Sequence, residues 1–220
     1  MKLKLRRRDI ILIVIFWVIG MALLGLVFYF AVFQNASSSP PPDRIFPQAT
    51  FTLTPVQVTA KSQLSLTEQQ IALWQPDARL FTMSATWDKA DINTIGQPVS
   101  WTYRFYSPGI KRLYFVTVSP EGHVTGTSHS ERVYHPPQPI PPDKWQIDSP
   151  EALNIWLNHG GAGMLNAIPG IQIVAQLQLS SPDAPLNWIV AGYDPLSKHY
   201  HTVFINAQNG EVIEIKTSLY

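Results

Sequence analysis

His199-Tyr200-His201 is the pair of imidazoles best spaced to share a metal ion, because residues i and i+2 project from one face of a strand. A third ligand is needed, and neither an HExxH helix nor a carboxylate cluster supplies one, while Lys198 places a positive charge beside the pair. The segment therefore reads as a solvated strand start, and no metal or other cofactor is expected. His123, His129 and His135 recur every six residues, which fits no helical face. His159-Gly-Gly-Ala-Gly has the glycines of a phosphate loop but lacks the Lys-Ser/Thr pair and follows a helical pattern, so it reads as a helix stop. No serine lies in a G-x-S-x-G elbow, Asp88 and Asp91 sit in a loop, and Glu131 stands beside Arg132. A hydrolase needs at least one such constellation, so the expectation is a protein that is not an enzyme. There is no cysteine, which excludes disulfides and thiolate chemistry.

Aromatic residues carry the remaining signal. In SWTYRFYSP, Ser100 to Pro108, the alternation of a strand puts Trp101, Tyr103 and Phe105 on one face and Tyr106 on the other; Tyr114 and Phe115 are likewise opposed. One helix covers only one face of a sheet, so the second aromatic face is either packed on another unit or open to a peptide or glycan. The candidate partner-binding residues are Tyr103, Arg104, Phe105, Tyr106, Arg112 and Tyr114, with the two arginines suited to a carboxylate.

The same strand is written twice. NWIVAGYDP, Asn187 to Pro195, repeats the Trp, Tyr and Pro spacing 87 residues later, and Pro98–Val118 laid on Pro185–Ile205 gives six identities in 21 positions, Lys111/Lys198 among them. One inserted residue then aligns Gly122 with Gly210 and Val124 with Val212, and upstream Leu73-Trp74 matches Ile155-Trp156. The chain reads as an internal duplication of a unit of about 70 residues. Each unit opens on a helix. SLTEQQIALW is capped by Ser65 or Thr67; DSPEALNIWLNHGG is capped by Asp148 or Ser149, with Pro150 and Glu151 in the first turn and Gly160-Gly161 as the stop. A short helical turn from Met164 to Ile168 follows in the second. Strand runs come next, reversed at Ser107-Pro108-Gly109, Asp194-Pro195, Pro120-Glu121-Gly122 and Asn209-Gly210.

Ahead of the repeat, Ile10 to Phe33 is 24 residues without a charge, longer as a helix than the ~30 Å hydrocarbon core. Lys2, Lys4, Arg6, Arg7 and Arg8 precede it and the next basic residue is Arg44, which predicts a cytoplasmic N-terminus. A cleaved signal peptide would carry a shorter apolar run and a small-residue site, and QNASSS is a poor one. Without these five basic residues and Asp9, eleven Lys/Arg face fourteen Asp/Glu, so the remainder is near −3 and is not a nucleic-acid surface. The predicted order is a basic tail (1–9), a transmembrane helix (10–33), a Ser/Pro-rich stalk (34–59), a first unit (60–135), a proline-rich linker (136–145) and a second unit (146–220). Asn35-Ala36-Ser37 matches a glycosylation sequon beside the membrane, and HPPQPIPP, His135 to Pro142, reads as a rigid linker in preference to a ligand for a proline-reading domain.

FINAQNGEVIEI, Phe204 to Ile215, resembles the closing hairpin of PepSY-type domains, and DSPEALNIWLNHGG is similar to their first helix with its glycine stop. The likeness covers Asp148 to about Thr217, and Leu66 to Ser128 by way of the repeat; Asn206 stands where the pattern has Asp, and the first unit ends on the more distant VSPEGHVTG. The resemblance implies an α+β fold: after the transmembrane helix, two repeated units, each a helix packed on an antiparallel sheet. It also implies a place outside the cytoplasm and, in some members, the binding or restraint of peptidases. The expected function is a membrane-anchored extracytoplasmic binding or regulatory protein with a protein or peptide partner. The alternative is an assembly subunit of an envelope complex.

Overall fold

Runs of alternating apolar residues become strands through most of the structure, a computed structural model that describes residues 58–218. The strands are β1 (Arg79–Ala90), β2 (Trp101–Ser107), β3 (Arg112–Val118), β4 (Val124–Ser128), β5 (Ile171–Leu179), β6 (Leu186–Tyr193), β7 (Tyr200–Asn206) and β8 (Val212–Thr217). They form one antiparallel sheet in the order β4-β3-β2-β1-β5-β6-β7-β8. Strands β1–β4 and β5–β8 are each a meander, so the chain makes the same four-stranded ribbon twice and joins the copies through β1 and β5.

The helices lie on one face. Thr59 caps α1 (Ala60–Leu64): its hydroxyl accepts from Ser62 N at 3.1 Å, and Ser62 Oγ accepts from Thr59 N at 2.8 Å. A 3₁₀ turn leads to α2 (Glu68–Trp74). Asp148 caps α3 (Ser149–Trp156), with Glu151 reaching back to Asp148 N at 2.7 Å; the helix breaks at Gly160, φ +110°, before α4 (Ala162–Ala167). The starts of α1 and α3 meet. Ala60 N donates to Ser149 Oγ at 3.0 Å and Lys61 N to Asp148 Oδ1 at 3.2 Å, so one capping carboxylate serves both helix ends.

Beneath them the core is continuous across the two ribbons. Trp101 of β2 meets Trp188 of β6 edge-on at 6.0 Å, with Trp87 and Trp145 on either side at 6.3 and 6.4 Å. Trp188 and Trp145 both donate to Ile147 O, at 2.8 and 2.9 Å, and Trp87 to Gln97 O, so these buried indole N–H groups are satisfied. Strand residues on this face, among them Met83, Tyr103, Ile173, Leu177 and Val203, are fully buried. The other face carries Thr102, Arg104, Phe115, Gln176, Ile189 and Phe204, half-buried against one another.

The expected fold class is corrected by this arrangement. The halves are not two helix-on-sheet units packed face to face; β1 pairs with β5 from Thr82↔Gln178 to Ala90↔Ile171, giving one eight-stranded sheet and one core. Each half needed a partner for a strand that would otherwise be a bare edge. The first helix also starts earlier than its Ser65 or Thr67 cap, because Thr59 supplies a capping box. Among the described residues no helix is long and apolar enough to cross a membrane. The basic tail, the run Ile10–Phe33 and almost all of the stalk lie outside the described residues.

Candidate functional site

The two repeated turns share a backbone. Lys111 and Lys198, non-glycine residues at φ +56° and +61°, close them by donating N–H to Ser107 O and Asp194 O at 2.9 and 2.8 Å. Their carboxylate caps differ. In the first turn Asp77 reaches in from before β1, accepting from Ser107 Oγ and Gly109 N, each at 2.7 Å, and these bonds hold its carboxyl below the usual range. In the second, Asp194 caps its own turn through Leu196 N, Ser197 N and the Ser197 hydroxyl, which hold it low in the same way.

What lies above the turns differs more. Trp156 is fully buried over Gly192, its Nε1 donating to His201 O at 3.2 Å. The position aligned with Gly192 is Phe105, itself a buried core residue, and the aligned tryptophan, Trp74, lies instead against Tyr114 with ring centroids 4.8 Å apart. Trp74 thereby walls a surface cleft of about 580 Å³ with Ile110, Lys111, Arg112 and Arg132. On the other side of the turn a second cleft of about 420 Å³ is lined by Arg79, Phe81, Tyr106, Lys111 and the Pro136–Pro139 segment. Lys111 lines both. Arg79, Lys111, Arg112 and Arg132 are exposed, and among the described residues none of them forms an ion pair. Glu131 and the already engaged Asp77 are the acids near them in sequence, so the corner is positive.

The six residues expected to form a partner surface are divided by the fold. Tyr103 and Phe105 are in the core; Tyr103 donates to Ala60 O at 2.7 Å, and burial, with the nearby Asp148 charge, pushes its phenol far up. They are not available to a partner. Arg104 lies on the half-buried face, donating to Ser84 Oγ at 3.1 Å with its guanidinium 5.9 Å from the Phe115 ring centroid, and burial lowers its pKa. Tyr106 lines the second cleft, Arg112 the first, and Tyr114 backs Trp74. Arg79, Lys111, Arg132 and Trp74 escaped the sequence reading. Lys111 had a signal, being repeated at Lys198. The proline segment is more than a spacer: Ile140 N donates to Leu80 O at 2.8 Å, pinning it across the sheet end.

His201 is no solvated strand start. It is buried, its Nε2 lies 2.7 Å from His159 O, and its Nδ1 has no partner among the described residues, so burial keeps its pKa below the ordinary imidazole value. His199 stays in the turn, with its backbone N–H on Ser197 Oγ. Among the described residues no three His, Asp or Glu side chains gather to hold an ion.

No family model and no curated protein matches the chain. A solved structure described as a "putative lipoprotein" from Clostridium difficile 630 covers 75% of this chain and 96% of its own, at 9% identity and a TM-score of 0.49. Likeness at that level bears on neither fold nor function here. The positive, aromatic- and proline-walled corner at the β2–β3 turn is the candidate site.

Proposed function

We propose that the protein is a binding module presented outside the cytoplasm, and that it captures an acidic protein or peptide segment at the β2–β3 corner. The observation that carries this reading is Lys111, held between two clefts whose other cations, Arg79, Arg112 and Arg132, form no ion pair among the described residues. Exposed cations flanked by Trp74, Tyr106 and prolines suit a chain that offers carboxylates and apolar side chains together. The placement is supported by the five basic residues before the uncharged run Ile10–Phe33. The PepSY-like ending supports a peptidase or a peptide as the source of the acidic segment.

The test is fluorescence anisotropy of the full chain with labelled peptides that alternate Glu with Phe or Pro, against versions carrying Lys for Glu. Acidic peptides should bind, more weakly as salt rises. Lys111→Glu and Arg132→Glu should each weaken binding roughly tenfold, about 1.4 kcal/mol, with unfolding midpoints unchanged because both side chains are exposed. Equal binding of acidic and basic peptides, or variants that bind like the parent, would return the corner to ordinary surface and favour the assembly subunit.

A further inference from the structure

The two outer edges of the sheet occupy equivalent places in the repeat and have diverged. With Val124 aligned to Val212, the β4 residues Thr125, Gly126, Thr127 and Ser128 correspond to Ile213, Glu214, Ile215 and Lys216 of β8. The β4 edge is small and polar. The β8 edge exposes Ile213 by 48% and Ile215 by 45%, with Glu214 and Lys216 about half exposed between and beside them. Strand β8 pairs with β7 on one side, Val203 opposite Ile215 and Thr202 opposite Lys216, and no described strand lies on the other. Its outward backbone groups are therefore a template for another strand.

The charges say which strand. In antiparallel pairing about a two-fold axis perpendicular to the sheet, opposite residues must share a face, so each such register is centred on a residue. Centred on Ile215, the pairing sets Glu214 of each copy against Lys216 of the other and Ile215 against itself. Shifting the centre to Glu214 or Lys216 puts like charges face to face, which is destabilising. The Glu214–Lys216 pair, 3.3 Å apart in one strand, is thus self-complementary in the register centred on Ile215. A Lys on an edge often serves to blunt it, but here the neighbouring Glu gives that Lys a partner in a second copy.

We propose that β8 is a homodimerisation edge, joining two copies antiparallel about Ile215 into one continuous sixteen-stranded sheet. The chain has no cysteine, so Ile215→Cys introduces the only thiol. On mild oxidation of this variant of the full chain in detergent, a disulfide-linked species of twice the mass should dominate, whereas Thr127→Cys on the β4 edge should stay monomeric. Adding Glu214→Lys to Ile215→Cys should abolish the crosslink, and adding Lys216→Glu as well should restore it. Mixing differently tagged Glu214→Lys and Lys216→Glu chains, each with Ile215→Cys, should give heterodimers in preference to homodimers. All substituted residues are exposed, so loss of folding is checked by an unchanged unfolding midpoint. The proposal is overturned if Ile215→Cys does not crosslink, whether its thiol is open to maleimide or shielded by another occupant. It is equally overturned if charge reversal leaves the yield unchanged.

Discussion

At the scale of single residues, His201 sets a pH dependence. Its Nε2–H donates to the His159 carbonyl, and Nδ1 faces the buried space under Gly160 and Trp156 with no acceptor among the described residues. A second proton would create a buried N–H without a partner, so burial depresses the folded-state pKa below 6.5. In that window the unfolded chain binds the extra proton, so stability is full above about pH 6.5 and is lost as pH falls through it. The expected result is a melting temperature that declines as pH falls from about 6.5 to 5, with His201→Gln flattening the slope. A parental protein with a flat profile over that range would contradict it. Asp77 and Asp194, whose pKa values are depressed, act in a separate window below about pH 4. The burial of His201 was not legible locally. Strand alternation placed it on a face, but only a glycine break 41 residues earlier, stepping over the ring, decides that the face is covered.

At the scale of elements, the pairing of Gly192 with Trp156 controls how α3 sits on β6. A Cβ on Gly192 would lie 2.9 Å from both Met164 Sδ and Trp156 Cζ2, and 3.1 Å from Ile171 Cδ1. Gly192→Ala should therefore lower stability by about 1–3 kcal/mol through overpacking, measured by urea unfolding; a neutral or stabilising effect would mean that the indole can shift freely. Much at this scale was readable. The Trp strands, the proline-stopped turns, the Asn209-Gly210 hairpin and the Asp148–Glu151 cap are all specified by short-range chemistry. The start of α1 was not, because Ala-Lys-Ser-Gln-Leu has little apolar periodicity and Ser65 and Thr67 offered rival caps. The partition of the aromatic residues was half readable: alternation separated Tyr106 from Tyr103 and Phe105, while which face the helices chose depended on tertiary packing.

For the whole molecule, the union of the two ribbons decides stability. Residues 146–220 alone would expose the inner edge of β5, and Trp188 would lose Trp101. That half should unfold at a distinctly lower midpoint than the full chain, or aggregate, while the full chain shows one cooperative transition for the sheet. Equal midpoints would mean that the halves are energetically independent. A sign of this union was present in the sequence. Neither LFTMSATW nor IQIVAQLQL carries the Lys, Pro or inward charge that protects a strand left at an edge, and both alternate as interior strands do. Their partnership was illegible because nothing local links them.

That seam also has a temporal meaning. Every other neighbouring pair of strands closes through a short connection, whereas Met83 must find Leu177, 94 residues away. Loop-closure entropy predicts that the central junction closes last, after each meander has formed. Until residues 171–179 arrive, β1 waits as an open edge, and during that interval an equivalent β5 from a neighbouring chain fits it as well as its own does. The proline-rich strap, by holding the second ribbon near the end of the first, raises the local concentration of the correct partner and biases the race toward closure within one chain.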